Sequence, residues 1–158
     1  MDVSMIMENI KFNYRVAGMI RYGEKILLHK SKNDEFYALP GGKIMISENS
    51  KEALKREAME EFGKEIIVND LFAVVENFFT LKSQRYHEIL MIHNALIKNE
   101  LNEEEKIKII GIEKRGDLEF IWKNVKEIET TDLRPVAIKN LIMQNDNKTK
   151  HLINIDNN

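Results

Sequence analysis

The residues able to do chemistry are concentrated between Gly41 and Lys64, which reads GGKIMISENSKEALKREAMEEFGK. Glu57, Glu60 and Glu61 stand at i, i+3 and i+4, a spacing that sets three carboxylates on one helical face. Like charges so placed repel one another and weaken the helix, and a divalent cation removes the repulsion. A cluster of hard oxygens suits Mg²⁺ or Mn²⁺ rather than zinc. Arg56 precedes the cluster and can pair with Glu48 or Glu57 to hold a carboxylate in place. Gly41-Gly42 lets backbone approach a ligand closely, because no Cβ intervenes. Taken alone, a Glu-x-x-Glu-Glu run reads most simply as a solvated helix face. The wider spacing lifts it above that. Gly42, Glu48, Arg56, Glu57, Glu60, Glu61 and Gly63 form one fixed pattern. Seven such positions, each matched by chance about once in 15, coincide on the order of 10⁻⁸ per window.

The elements that must position these residues read as a mixed α/β arrangement, a sheet flanked by one long helix and one or two shorter ones. Phe12 to Ile20 and Lys25 to His29 read as strands joined by a turn at Tyr22-Gly23-Glu24. Ser31 to Glu35 is a polar loop. Phe36 to Leu39 is short and extended and stops at Pro40-Gly41-Gly42, the strongest breaker in the chain. A short strand is expected over Lys43 to Ile46. Ser47 to Gly63 is the clearest helix, with Ser47 or Ser50 as its cap and Gly63 as its C′ residue. Leu54, Ala58 and Phe62 recur every four residues as its apolar stripe. Strands are expected over Ile66 to Val68, Leu71 to Thr80, Tyr86 to Ile97, Ile107 to Ile112 and Leu118 to Trp122. Val125 to Glu129 is a short helix, and Arg134 to Gln144 a terminal helix with Pro135 in its first turn and Asp132 as cap. One domain is expected over residues 1–144, followed by an Asn-rich tail, 145–158, that frays.

Composition narrows the class. At 158 residues the chain suits one domain large enough to hold a core without disulfides. It has no cysteine, so thiolate zinc sites and cysteine nucleophiles are excluded. With 24 basic and 26 acidic side chains, it lacks the excess charge of a protein that binds extended nucleic acid through a broad basic face. No apolar run is long enough to span a bilayer, and Met1 to Ile10 carries Asp2 and Glu8 rather than a basic region before an apolar core. The cytoplasm is therefore the expected compartment, with no membrane partner.

The pattern from Gly42 to Lys64 resembles the Nudix box, and the sequence thereby resembles the Nudix hydrolase family. It departs at Lys64, where an aliphatic residue or Thr is usual, and at the small Ala58; neither is a metal-binding position. The resemblance implies an α/β/α sandwich with a mixed sheet. It implies hydrolysis of a nucleoside diphosphate linked to another group, with two or three Mg²⁺ or Mn²⁺ ions. It casts Glu57, Glu60 and Glu61 as metal ligands, Gly42 as a carbonyl ligand, Arg56 as the residue orienting the carboxylates, and Glu48 as the acid it helps anchor. The general base is left open between Glu60, Glu61 and the acidic-loop residues Glu103, Glu104 and Glu105. Members of the family are often dimers, so a homodimer is one expected assembly, although no stretch of the sequence marks an interface.

Several residues outside the box carry two readings. His87-Glu88 opens an apolar strand and is either a contact to substrate or metal, or a polar pair at the surface. Phe36 and Tyr37 either stack on a base or pack in the core. His29 and His93, inside apolar strands, read as structural histidines, and Trp122 as core. Downstream of the box the chain reads Asn77-Phe78-Phe79-Thr80-Leu81-Lys82, and its only prolines are Pro40 and Pro135. The proline and tyrosine markers of ADP-ribose and diadenosine polyphosphate hydrolases are thus missing. By elimination this favours a small-molecule nucleotide, a nucleoside or deoxynucleoside triphosphate cut to monophosphate and pyrophosphate. ADP-ribose, a nucleotide sugar, or a binding domain that senses a nucleotide without cleaving it are the alternatives.

Overall fold

Val16 and Ile20 point to one side of a long strand while Ala17 and Met19 point to the other, and this period-two alternation supplies both cores of the protein. The computed structural model describes residues 1–112, 117–144 and 146–156. Among them the order is β1 (Ser4–Met7), β2 (Ile10–Tyr22), β3 (Lys25–Ser31), β4 (Gly41–Lys43), α1 (Ser50–Phe62), β5 (Ile66–Leu81), β6 (Gln84–Ile97), β7 (Lys108–Ile110), β8 (Leu118–Asn124), α2 (Ile138–Gln144) and β9 (Lys150–Ile155). The strands form one sheet in the order β7-β8-β3-β2-β6-β5-β9, with β1 and β4 also paired to β2. The β2–β6 and β5–β9 pairs are parallel and the others antiparallel, so the sheet is mixed. On one face Ala53, Leu54, Ala58 and Phe62 of α1 pack against Val16, Ile20, Leu27 and Phe120. On the other, Ile138 and Ile142 of α2 pack against Ala17, Met19, Leu28 and Ile92. The architecture is the expected α/β/α sandwich.

Helix α1 forms where the apolar stripe recurs every four residues, and its ends are closed by specific groups. Asn49, not Ser47 or Ser50, is the N-cap: its side-chain oxygen accepts from the backbone N–H groups of Lys51 and Glu52. Ser47 instead takes a left-handed turn conformation, φ 65°, before the helix. Gly63 closes the C-terminus at φ 66°, and its N–H donates to the Met59 carbonyl.

Other expectations are corrected. The short strand falls on Gly41–Lys43 rather than Lys43–Ile46. The two glycines allow this, since a Cβ on Gly41 would lie 2.0 Å from the Val16 carbonyl oxygen. The break expected at Asn69-Asp70 is absorbed as bulges within the continuous β5. Residues Val125–Glu127 make one 3₁₀ turn capped by Asn124. Helix α2 begins at Ile138 rather than Arg134, because the chain first makes i→i+3 turns, Ile138 N–H to the Pro135 carbonyl and Lys139 N–H to that of Val136. Asp132 caps no helix; its carboxylate binds the Arg134 guanidinium. Strand β1, unseen in the sequence, folds back on β2 through a turn at Glu8. The tail does not fray across its described part: Lys150–Ile155 is a parallel partner for β5, from Ala73↔Lys150 to Phe78↔Ile155. Residues 145, 157 and 158 lie outside the described residues.

Candidate metal and substrate site

Arg56 is the hub of the carboxylate cluster. A guanidinium has five N–H donors in a planar fork. Here Nε donates to Glu48 Oε1 at 2.8 Å, and Nη2 donates to Glu48 Oε2 at 2.9 Å and to the Lys43 carbonyl at 3.0 Å. Nη1 donates to Glu57 Oε1 at 2.8 Å and to Glu60 Oε2 at 3.2 Å. All five donors are thus taken, by three carboxylates and the strand that carries Gly42. The Met45 N–H donates to the Glu48 carboxylate at 3.0 Å, which fixes Glu48 from the loop side.

The helical spacing gives the three box glutamates different surroundings. Glu60 is half exposed, Glu57 is mostly covered, and Glu61 is buried. Burial raises the Glu57 carboxyl above its ordinary pKa, against the opposing pull of Arg56. The hydrogen bond from Arg56 lowers that of Glu48, and the same pair raises that of Arg56. Gly42 makes room for this arrangement, because a Cβ there would lie 2.2 Å from the Glu57 carboxyl carbon. The structure brings Glu48, Glu57 and Glu60 together at Arg56, beside Gly42, where the sequence expected Arg56 to pair with Glu48 or Glu57.

The acidic loop is engaged elsewhere. Glu105 pairs with Lys64 just beyond the helix end, which lowers its pKa, and it accepts the Asn102 N–H. Glu103 pairs with Lys106 at 2.6 Å, and Glu104 is exposed.

On the α2 face lies a cavity of about 300 Å³ whose lining includes Arg15, His29, Phe36, Asn77, Phe79 and Glu88. Adjacent strand residues face opposite sides, so the His87-Glu88 pair divides. His87 stacks on Phe78 at 4.4 Å and meets Phe12 edge-on at 5.3 Å. Glu88 turns into the cavity wall and is buried. Phe36 lines the cavity beneath the Arg134 guanidinium, 5.8 Å away. Tyr37 does not line it; Lys30 lies over its ring at 5.2 Å. His29 stacks on Phe120 at 5.6 Å, and its Nδ1 is buried without a hydrogen bond among the described residues. Burial, helped by the Arg15 charge, pushes its pKa down to about 4. His93 is the structural histidine expected, 2.8 Å from Ser50 Oγ at the start of α1.

Sequence reasoning missed Arg15, His29, Asn77, Phe79, Asn154 and Asp156 as parts of this cavity. A charge at Arg15 within the run Tyr14 to Ile20, and an amide at Asn77 within an apolar strand, were signals in the sequence. Asn154 and Asp156 carried none, since only the β5–β9 pairing brings them there.

The donor set is carboxylate and backbone oxygen around a glycine that a Cβ would block, which fits a hard divalent cation. Among the described residues no three acidic or imidazole groups already converge as a cage; Arg56 supplies the positive charge between the carboxylates.

The model of the NUDIX domain matches residues 13–142. The chain belongs to the Nudix family and is a hydrolase of phosphoric anhydride bonds, in a family that generally uses divalent metals. Solved structures share the fold. A NUDIX hydrolase from Nitrosomonas europaea has a TM-score of 0.65 at 19% identity, covering 91% of this chain and 78% of that one. A MutT protein from Methanosarcina mazei Go1 has a TM-score of 0.60 at 19% identity, covering 88% and 95%. An ADP-ribose pyrophosphatase from Streptococcus suis has a TM-score of 0.55 at 15% identity, covering 90% and 98%. No curated protein matches the chain in sequence. No helix among the described residues is long and apolar enough to cross a membrane.

Proposed function

We propose that this protein is a Mg²⁺-dependent pyrophosphohydrolase that cleaves a nucleoside or deoxynucleoside triphosphate to the monophosphate and pyrophosphate. The observation that carries this reading is the Arg56-centred carboxylate cluster on the box helix, with Arg15, the strand partner of Lys43 beside Gly42, lining a cavity of about 300 Å³. That volume is at the small end of ligand pockets, about 300–1,000 Å³, and suits a single nucleoside better than a dinucleotide.

Glu57, Glu60 and Glu61 would hold the ions, with Gly42 offering its carbonyl. When bound, Mg²⁺ or Mn²⁺ brings the positive charge that draws a polyphosphate onto an acidic face and acidifies a water. Arg56 keeps Glu57 and Glu60 aimed at the same place, and Glu48 keeps Arg56 there. A water attacks one phosphorus of the α–β anhydride in line, a glutamate takes its proton, and the bond from that phosphorus to the bridging oxygen breaks, so that monophosphate and pyrophosphate separate. Glu60 and Glu61 are the favoured bases because they stand on the box helix, whereas Glu103 and Glu105 of the acidic loop pair with Lys106 and Lys64; Glu104 of that loop stays a candidate.

The test is turnover of a panel containing the nucleoside and deoxynucleoside triphosphates, ADP-ribose, a nucleotide sugar and a capped RNA end, with Mg²⁺ and with products identified. Monophosphate and pyrophosphate from a triphosphate support the reading. Preferential cleavage of ADP-ribose or a sugar nucleotide overturns the substrate assignment. Tight binding with no cleavage at any metal concentration overturns the enzyme assignment. Glu60→Gln and Glu61→Gln must each lower the rate if the metal assignment holds.

A further inference from the structure

Glu88 ends two chains of hydrogen bonds that both run toward it. The Ala137 N–H donates to Asn154 Oδ1 at 3.2 Å, Asn154 Nδ2 to Asn77 Oδ1 at 2.9 Å, and Asn77 Nδ2 to Glu88 Oε2 at 3.3 Å. From the opposite side, Ser4 Oγ donates to Asn13 Oδ1 at 2.8 Å and Asn13 Nδ2 to Glu88 Oε1 at 3.1 Å. A backbone N–H can only donate, so Ala137 fixes the orientation of both amides on its chain. Both Glu88 oxygens are left as acceptors, the arrangement a carboxylate satisfies. The residue is buried at the cavity wall, where a carboxylate so elaborately held needs a cation.

That cation is Arg15, whose Nη1 lies 3.8 Å from Glu88 Oε1. Arg15 differs from the other arginines of the site. Arg56 gives every N–H to the protein, and Arg134 is paired with Asp132 and Asp156. The Arg15 side chain makes no hydrogen bond among the described residues beyond its ion pair with Glu88, and it is 35% exposed. Its strand position is also specific: Arg15 pairs with Lys43 and its neighbour Val16 with Gly42. It lines the cavity, and its charge reaches both Glu57 of the cluster and His29 of the cavity. A guanidinium fork with no side-chain hydrogen bond, lining the cavity from the strand that pairs with Gly42 and Lys43, matches a phosphate group.

We propose that Arg15 binds the phosphate nearest the nucleoside, and that Glu88 is the positioning residue that holds it at the cavity wall. This rests on the nucleotide-hydrolase reading above. The experiment compares wild type with Arg15→Gln, Arg15→Lys and Glu88→Gln. Calorimetry is run with adenosine, guanosine, cytidine and uridine and with their 5′-diphosphates, alongside turnover of the best substrate. Arg15→Gln is expected to weaken the diphosphates about tenfold or more, the worth of one lost charge-assisted hydrogen bond, and to leave the nucleosides within about twofold. KM should rise by more than kcat falls. Arg15→Lys keeps the charge, loses the fork and should fall between the two. Glu88→Gln removes one acceptor and frees Arg15, so it should show the same phosphate-dependent pattern in milder form. Equal weakening of nucleosides and diphosphates, or no change in either, overturns the proposal. If Arg15→Gln does not fold, diphosphate affinity of Arg15→Lys equal to wild type overturns it instead. A wild type that neither binds nor cleaves any nucleotide would sink the hydrolase reading itself, a result distinct from either.

Discussion

Arg56 and Glu48 meet through two parallel hydrogen bonds, Nε to Oε1 at 2.8 Å and Nη2 to Oε2 at 2.9 Å. This bidentate pair fixes the guanidinium plane and leaves Nη1 aimed at Glu57 and Glu60. Orientation of the metal-type carboxylates therefore depends on a residue eight positions before Arg56, outside the helix.

Arg56→Lys keeps the charge and removes the fork. A lysine cannot satisfy Glu48 bidentately and also reach both Glu57 and Glu60. The expected loss in metal affinity or turnover is about 10- to 100-fold, read by Mg²⁺ titration of activity. A wild-type response would show that the carboxylates orient themselves.

The adjacent glycines Gly41 and Gly42 should fail differently. In Gly42→Ala the new Cβ meets the end of the Glu57 side chain, which can swing away; folding should survive while activity collapses. In Gly41→Ala the Cβ meets Val16 backbone at 2.0 Å, which cannot move without parting two strands. Its cost should appear in stability, about 1–3 kcal/mol by denaturant titration. Equal melting temperatures for the two variants would refute the distinction.

His29 should make the fold acid-sensitive. Its pKa falls from 6.5 to about 4 on folding, so the folded state binds fewer protons between those values. Stability is then fully present above pH 6.5 and declines as pH falls through that window. The decline attributable to His29 is roughly 2 kcal/mol between pH 7 and pH 5. His29→Phe keeps a ring against Phe120 and should flatten this part of the curve. Parallel stability curves for the two proteins between pH 5 and pH 7 would refute it.

Asn154 should matter more than its exposed neighbours. Asn154→Ala leaves the half-buried Ala137 N–H and the buried Asn77 Oδ1 without their partner, at about 1–3 kcal/mol. Ile153 on the same strand is 61% exposed, and Ile153→Ala should stay within about 0.5 kcal/mol of wild type. Urea unfolding midpoints of the two variants decide the point.

The carboxylate cluster was legible because its information is local. Glu57, Glu60 and Glu61 share a helix, and Gly42 and Glu48 lie within one short segment before it. Spacing along the chain therefore nearly fixes spacing in three dimensions. The helix itself was legible to within a few residues. Its cap was not, since Ser47, Asn49 and Ser50 are all acceptable N-cap types and only the loop geometry chose Asn49.

The second half of the site was hidden for the opposite reason. Arg15, Asn77, Glu88 and Asn154 come from four strands, and their meeting depends on the pairings of β2 with β6, β6 with β5 and β5 with β9. The tail looked unstructured because polar asparagines dominate it, yet its backbone completes an open edge of the sheet and Asn154 completes a buried amide chain. The sequence alone determined the family and the fold class, and it placed Glu57, Glu60 and Glu61 on one helix through contacts close along the chain. Tertiary structure decided which side chains line the cavity, because they meet only through the pairing of strands far apart in the chain, and a one-residue slip in register would turn each to the other face.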